Sequence, residues 1–292
     1  MSIGFSSVAQ LIEAAKAENT TMANIVLKQT ASDMKVDEAV IFKRMTHSLD
    51  VMKASIEEGT DPEIRSLSGL INNEAFLFKQ HVASGKSLSG LLLGEAVYGS
   101  IAVMSTNACM GKIVAAPTAG SAGIIPGCLT ALLHHKNIPD EKLVYGLLNA
   151  SGIGMVIAKN ASVSGAVGGC QAECGSAAAM TASALVEIMD GTPDMCGHAA
   201  ALALKSLLGL VCDPVAGLVE EPCVIRNAAA ASIAIISADM ALAGIKSIIP
   251  VDEVIIAMDE VGRALPATLR ETAKGGLATT PTAKRIERGL FN

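Results

Sequence analysis

The sequence predicts a mainly α-helical protein with a core of small and aliphatic side chains. Three observations carry that prediction. Apolar residues make up 51% of the 292 positions, yet there is no Trp, two Tyr and five Phe, so Ala, Leu, Ile, Val and Met must fill the core. Ala is the best helix former, and small side chains let helices approach closely. Capped segments with apolar residues at helical spacing recur along the chain, whereas no alternating strand pattern exceeds a few residues. A chain of this length buries a sizeable core in one large or two modest domains.

Ser6 or Ser7 caps a first helix reaching about Ala17, and Thr20 or Thr21 caps the second. Asp37 and Glu38 open a longer helix, with Val40, Ile41, Met45, Leu49 and Met52 at helical spacing, ending near Gly59. After the break Thr60-Asp61-Pro62, helices follow over roughly 67–82 and 87–104, separated by Gly85. From about residue 105 the texture turns to Gly, Ala, Ser and Thr, with Pro117 and Pro126 between Cys109 and Cys128. Helices resume at about 128–136 and 140–158, the second opened by Pro139-Asp140-Glu141. A second glycine-rich stretch, NASVSGAVGGCQAECG, occupies 160–175. Helices then run over about 176–190 and 193–208, the latter capped by Thr192, with Pro193 in its first turn and Gly209 as its stop. Residues 210–225 read as a loop and Arg226–Leu242 as an Ala/Ile-rich helix stopped by Gly244. A helix after Asp252 and a short one over about 283–289 complete the chain. The change of texture separates a peripheral helical region, 1–104, from a cysteine-bearing region, 105–292, within what reads as one continuous domain.

The mean hydropathy of +0.47 raises the question of a membrane. A spanning helix needs about 20 mostly apolar residues. The best stretch, 228–249, carries Asp239 and Lys246, and Leu147–Ala158 ends at Lys159-Asn160, so a buried core is the better reading and no membrane partner is expected. The opening MSIGFSSVAQ has no basic region followed by an apolar run, which points away from secretion and to the cytoplasm. Seven widely spaced cysteines in such a chain argue against a disulfide framework and leave metal, catalytic or core roles. The net charge of −6, with no basic patch interleaved with aromatics, argues against nucleic acid.

The segment Cys212-Asp-Pro-Val-Ala-Gly-Leu-Val-Glu-Glu-Pro-Cys223 holds two cysteines eleven residues apart between helices. Pro214 and Pro222 stiffen it and Gly217 permits a turn, which suits two thiolates held in fixed positions. Cys223 precedes a helix start, where free N–H groups favour a thiolate. The same spacing also fits two buried small hydrophobes. Cys170 follows the pair Gly168-Gly169, which would let backbone approach a bulky inorganic group, and Cys174 is a competing ligand four residues on. Zinc is the rival metal, but it would want a compact CxxC pair, and none exists. His134-His135 sit at a helix end, and His198 lies two residues past Cys196. The loop Pro117–Gly123 offers little but hydroxyls and successive N–H groups, a nest for a carboxylate or simply a tight helix connection, and Lys112 could add charge.

Four segments then carry a resemblance: CMGKIVAAPTAGSAGIIPG (109–127), NASVSGAVGGCQAECGSA (160–177), GLVCDPVAGLVEEPCVIRNAAA (209–230) and GGLAT (275–279). In this order they resemble the α subunit of the iron-sulfur-dependent L-serine dehydratase (L-serine ammonia-lyase) family. The resemblance implies that 105–292 is a helical catalytic region carrying a 4Fe-4S cluster on Cys170, Cys212 and Cys223, the cysteines of the GCQ, CDP and pre-Arg-Asn motifs. It implies conversion of L-serine to pyruvate and ammonia, with the open iron site as Lewis acid. Thr118 and Ser121, together with Asn160, Ser162 and Ser164, are expected to hold the substrate carboxylate and hydroxyl. Arg226 and Asn227 are expected to orient cluster or substrate, and no general base is evident. Ala119 stands where many members have Asn, Cys174 is an extra thiol, and the closing Arg-Gly-Leu-Phe-Asn lacks the C-terminal cysteine of some single-chain members. The further region of single-chain members is not found, which implies the two-subunit type with a separate β subunit as partner.

Three other readings share some of these features. A cluster-dependent L-cysteine desulfidase would differ in leaving group. A pyridoxal-phosphate dehydratase needs a Schiff-base lysine in an α/β fold, and Lys112, Lys159 and Lys205 are the few lysines near the glycine-rich loops. A non-catalytic iron-sulfur or zinc structural subunit would leave catalysis to another chain.

Overall fold

Thirteen α-helices and no β-strand are formed by residues 4–291, which the computed structural model describes. Met1–Ile3, part of the opening stretch read above, and the final Asn292 lie outside the described residues. The helices are α1 (Val8–Ala17), α2 (Met22–Met34), α3 (Glu38–Gly59), α4 (Glu74–Ala83), α5 (Gly90–Ala108), α6 (Ile124–Lys136) and α7 (Asp140–Asn160). They continue with the one-turn α8 (Gly165–Gly168), α9 (Ser176–Ile188), α10 (Pro193–Lys205), α11 (Cys223–Leu242), α12 (Val251–Ala264) and α13 (Pro281–Phe291). The mainly α fold is therefore as expected, and the α/β frame that a pyridoxal-phosphate enzyme requires is not formed among the described residues.

Local chemistry sets most of the boundaries. Ser7 Oγ accepts from Gln10 N at 3.1 Å, Thr21 Oγ1 from Asn24 N at 3.3 Å and Thr192 Oγ1 from Met195 N at 3.3 Å, each satisfying a helix-start donor. Tertiary carboxylates complete two of these starts. Asp252 accepts from Val8 N and Ala9 N at 2.8 and 2.9 Å, and Glu187 accepts from Met22 N and Ala23 N at 3.0 and 3.1 Å. Several starts differ from the sequence expectation, among them those of α4, α6 and α11. α4 begins at Glu74 rather than near 67, because Ser66 and Ser68 give their hydroxyls to the buried Glu220 carboxylate and Gly69 turns the chain at φ 73°. α6 begins at Ile124 rather than 128, since Pro126 sits in its first turn, where a missing N–H costs nothing. α11 begins at Cys223, three residues before Arg226.

The main apolar cluster runs from Val8, Leu11 and Met22 through Leu49 and Met52 to Ile255 and Met258, so side chains on both sides of residue 105 share it. At its centre lies α9, buried along nearly its whole length and packed against α7, α10 and α11. Alanine and glycine make this crowding possible. A Cβ on Gly127 of α6 would stand 2.5 Å from the Ala96 carbonyl oxygen of α5, so the two helices cross at a distance only glycine permits. Among the described residues one helix, α11, is long and apolar enough to cross a membrane, but 56% of its apolar window is buried against neighbouring helices. Four irregular stretches meet at the amino end of α11: residues 117–123, the turn before α9, residues 210–222 and residues 265–280.

Candidate metal centre

Cys170 is held from both sides. Gly169 precedes it at φ 76°, and Gln171 N donates to Leu210 O at 3.0 Å. The Gln171 amide then accepts from Gly209 N at 2.9 Å and donates to Met258 O at 3.0 Å, tying the turn to α12 and to the end of α10. Residues 171–175 form a π-helical turn that runs into α9. The paired glycines allow close packing of protein segments here. A Cβ on Gly169 would lie 2.9 Å from the Leu210 oxygen, and Gly168 faces the backbone of Gly262 on α12.

Cys212 is fixed by backbone pairing with the carboxyl-terminal segment. Its N–H donates to Leu269 O at 2.9 Å and its carbonyl accepts from Glu271 N at 2.8 Å, which forms an isolated parallel bridge to Arg270. Asp213 and Arg226 make a buried ion pair at 2.8 Å, and Asp213 also accepts from Leu277 N at 2.7 Å. Arg226 in turn donates to Val211 O at 2.8 Å and to Cys170 Sγ at 3.6 Å. One guanidinium thus joins the two cysteine segments. Ala216 and Gly217 both adopt positive φ, 56° and 74°, making the turn expected between Cys212 and Cys223. Cys223 is the first residue of α11 and is buried.

The structure brings Cys170, Cys212 and Glu173 together, with their ligand atoms within 4.8 Å of one another. Cys223 stands outside this tightest group, though the charges of Cys170 and Glu173 act on it. The Cys170 thiol is driven far down because the Cys174 and Cys212 thiols donate to its sulfur, with Arg226 beside it. Those two donors are correspondingly pushed up, and burial raises Cys223. The arrangement is one stabilised thiolate, two thiols pointing at it and an adjacent cation, a soft donor set suited to iron-sulfur or zinc chemistry.

Glu173 was not singled out from the sequence. It is 8% exposed, and its Oε1 accepts from Thr118 Oγ1 at 2.6 Å. Burial, and the Cys170 charge, push its carboxyl up to about 7. Two glycines make room for it. A Cβ on Gly120 would lie 3.0 Å from Oε1, and one on Gly165 would lie 2.5 Å from Oε2 and 3.2 Å from Cys212 Sγ. No local signal marks a glutamate in a helix-like turn, and only the approach of these two distant glycines does so.

The 117–123 loop is anchored by Asn227. Its Nδ2 donates to Gly120 O at 2.8 Å and to Cys223 O at 2.9 Å, while Oδ1 accepts from Gly123 N at 3.0 Å. Ser121 is buried, with its Oγ 3.3 Å from Thr118 Oγ1. Among the described residues the N–H groups of Ala119 and Gly120 meet no acceptor. Ser162 Oγ accepts from Ser164 N at 3.1 Å, and Ser164 O takes the Val167 and Gly168 N–H groups to start α8 beside Cys170. Asn160 is engaged elsewhere, its amide donating to Ser6 O and Val156 O at 2.8 Å each. Lys112 is exposed and makes no hydrogen bond or ion pair among the described residues.

The chain is similar to known proteins along most of its length. The family described as serine dehydratase alpha chain matches residues 13–278. A probable L-serine dehydratase alpha chain of Bacillus subtilis is 48% identical over 98% of this chain and 95% of its own length. The L-serine dehydratase alpha chain of Peptoniphilus asaccharolyticus is 43% identical, covering 97% of each chain. An L-serine dehydratase of Mycobacterium tuberculosis is 44% identical over 64% of this chain but only 42% of its own length.

Proposed function

Since the chain belongs to the serine dehydratase alpha chain family, we propose that it is the catalytic α subunit of a two-subunit L-serine ammonia-lyase that converts L-serine to pyruvate and ammonia. The observation that carries the reading is the convergence of a stabilised Cys170 thiolate, Cys212 and the Cys223 end of α11 beside a loop with unpaired N–H groups.

The donor set fits a 4Fe-4S cluster on Cys170, Cys212 and Cys223. Three buried thiols come from separate segments, and Arg226 offsets thiolate charge at Cys170. When bound, a cluster with one iron not held by cysteine supplies a Lewis acid for the leaving hydroxyl. The chain's own residues do the rest. The Ala119 and Gly120 N–H groups, with the Ser121 hydroxyl, receive the substrate carboxylate. Asn227 holds that loop against the first turn of α11, so carboxylate site and Cys223 keep one spacing. Asp213 fixes Arg226 and, through Leu277, closes the GGLAT segment over the site. Ser162 and Ser164 shape the turn that leads to Cys170.

The name "alpha chain" of the relatives supports a β chain as partner, and the longer Mycobacterium relative, less than half of which is matched, fits a region supplied here by that chain. All seven cysteines are free thiols, in keeping with a cytoplasmic enzyme.

Anaerobic reconstitution with the β chain tests the reading, with iron and sulfide counted and pyruvate from L-serine followed. Iron-loaded complex that never releases pyruvate would overturn it. A second reading rests on the Glu173 carboxylate within 4.8 Å of two sulfurs: one metal ion on Cys170, Glu173 and Cys212. Zinc without sulfide in active protein would favour that reading.

A further inference from the structure

We propose that Glu173 is the residue that recognises the substrate's α-ammonium group. The inference rests on the reading of the site as one for L-serine and deepens it. A substrate that enters as a zwitterion presents three polar groups: a carboxylate, a hydroxyl and an ammonium. The 117–123 loop offers donors, which suit only the first two. Something nearby must accept.

Glu173 is the acceptor the structure provides. Its carboxylate is more than nine-tenths buried, yet among the described residues no Lys, Arg or His pairs with it. A buried carboxylate without a cation is costly, and proteins rarely keep one unless a partner arrives. The guanidinium beside Cys170, that of Arg226, is already committed to Asp213, Val211 and Cys170. Oε1 is held by Thr118, a residue of the carboxylate loop, while Oε2 receives no hydrogen bond among the described residues. The glycines at 120 and 165 keep side chains off both oxygens, and Oε2 lies on the side of Cys212. Thr118 therefore sets the spacing between the loop that takes the carboxylate and the group that takes the ammonium. The two charges of one α-amino acid leave a bound substrate about one carbon apart, and one hydrogen bond joins their receptors.

The test uses the anaerobic α–β holoenzyme with Glu173→Gln and Glu173→Asp. Each is measured for iron and sulfide, for kcat and KM with L-serine, and for calorimetric affinity for 3-hydroxypropanoate, which is serine without its amino group. Glu173→Gln is expected to keep its iron, raise the serine KM by about 30-fold, and bind 3-hydroxypropanoate as well as wild type or better. Glu173→Asp, which keeps the charge, is expected to recover part of the serine affinity, and it carries the test if the Gln variant does not fold. Equal weakening of serine and 3-hydroxypropanoate would overturn the proposal in favour of a packing role. A fall in kcat at unchanged KM would overturn it in favour of proton transfer, and a loss of iron in favour of metal ligation. Absence of pyruvate from the wild-type holoenzyme would instead sink the dehydratase reading itself, and this proposal with it.

Discussion

Replacing Asn227 with alanine removes the tie between the 117–123 loop and α11. The side chain is fully buried and makes three hydrogen bonds, to Gly120 O, Cys223 O and Gly123 N. The Cys223 carbonyl retains its helical bond from the Asn227 N–H. The Gly120 carbonyl and the Gly123 N–H lose their partner. Each buried group left unpaired costs about 1–3 kcal/mol, so Asn227→Ala is expected to cost about 3 kcal/mol once some water enters. In a chain of this size that lowers the melting temperature by about 6 °C. Asn227→Asp is expected to be worse, because it turns a carboxylate oxygen toward two carbonyl oxygens. Urea and thermal unfolding of the metal-free chain, followed by circular dichroism, measure both. A change in Asn227→Ala below about 0.5 kcal/mol, or an Asp variant more stable than the Ala variant, would refute the reasoning.

Three further outcomes follow from the same geometry. Cys170→Ser, Cys212→Ser and Cys223→Ser are each expected to lose iron and sulfide on reconstitution, whereas Cys174→Ala keeps them; full iron in any of the first three strikes that cysteine from the ligands. Gly165→Ala places a methyl 2.5 Å from Glu173 Oε2 and is expected to lower kcat/KM for L-serine by about 100-fold. Near-normal kcat/KM would show the space beneath the carboxylate to be idle. The Glu173 carboxyl is raised from 4.5 to about 7, so below pH 4.5 both states hold the proton and its contribution to stability is fully present. Between those values the unfolded chain loses a proton the native chain keeps, and the metal-free protein is expected to lose about 3 kcal/mol as pH rises. Wild type and Glu173→Gln with identical stability slopes across that window would contradict it.

The helices were legible because their signals are local. Ser7, Thr21 and Thr192 cap where their hydroxyls predict, and Pro193 starts α10. Boundaries set by distant partners were not legible: nothing near Ser66 announces that Glu220, more than 150 residues on, will take its hydroxyl and delay α4. The site shows the same division. Arg226 and Asn227 stand out as polar residues opening an apolar helix, and both prove to be connectors. Asn160 looked similar in a polar, glycine-rich stretch, but its amide is spent on Ser6 and Val156. Gly168 and Gly169 suggested room for an inorganic group, while their actual neighbours are α12 and the Leu210 backbone. Glu173 was invisible because its environment is assembled from Thr118, Gly120 and Gly165, none of them adjacent in sequence.

Cys212 takes its backbone partners from Leu269 and Glu271, and Asp213 takes its own from Leu277. These partners lie more than fifty residues along the chain from the cysteine they fix. Without residues 265–280 in place, Cys212 has no backbone pairing and Asp213, which holds Arg226 beside Cys170, loses its bond from Leu277. The spacing of Cys170 and Cys212 is thereby set by tertiary closure of that segment, rather than by the local sequence around either cysteine.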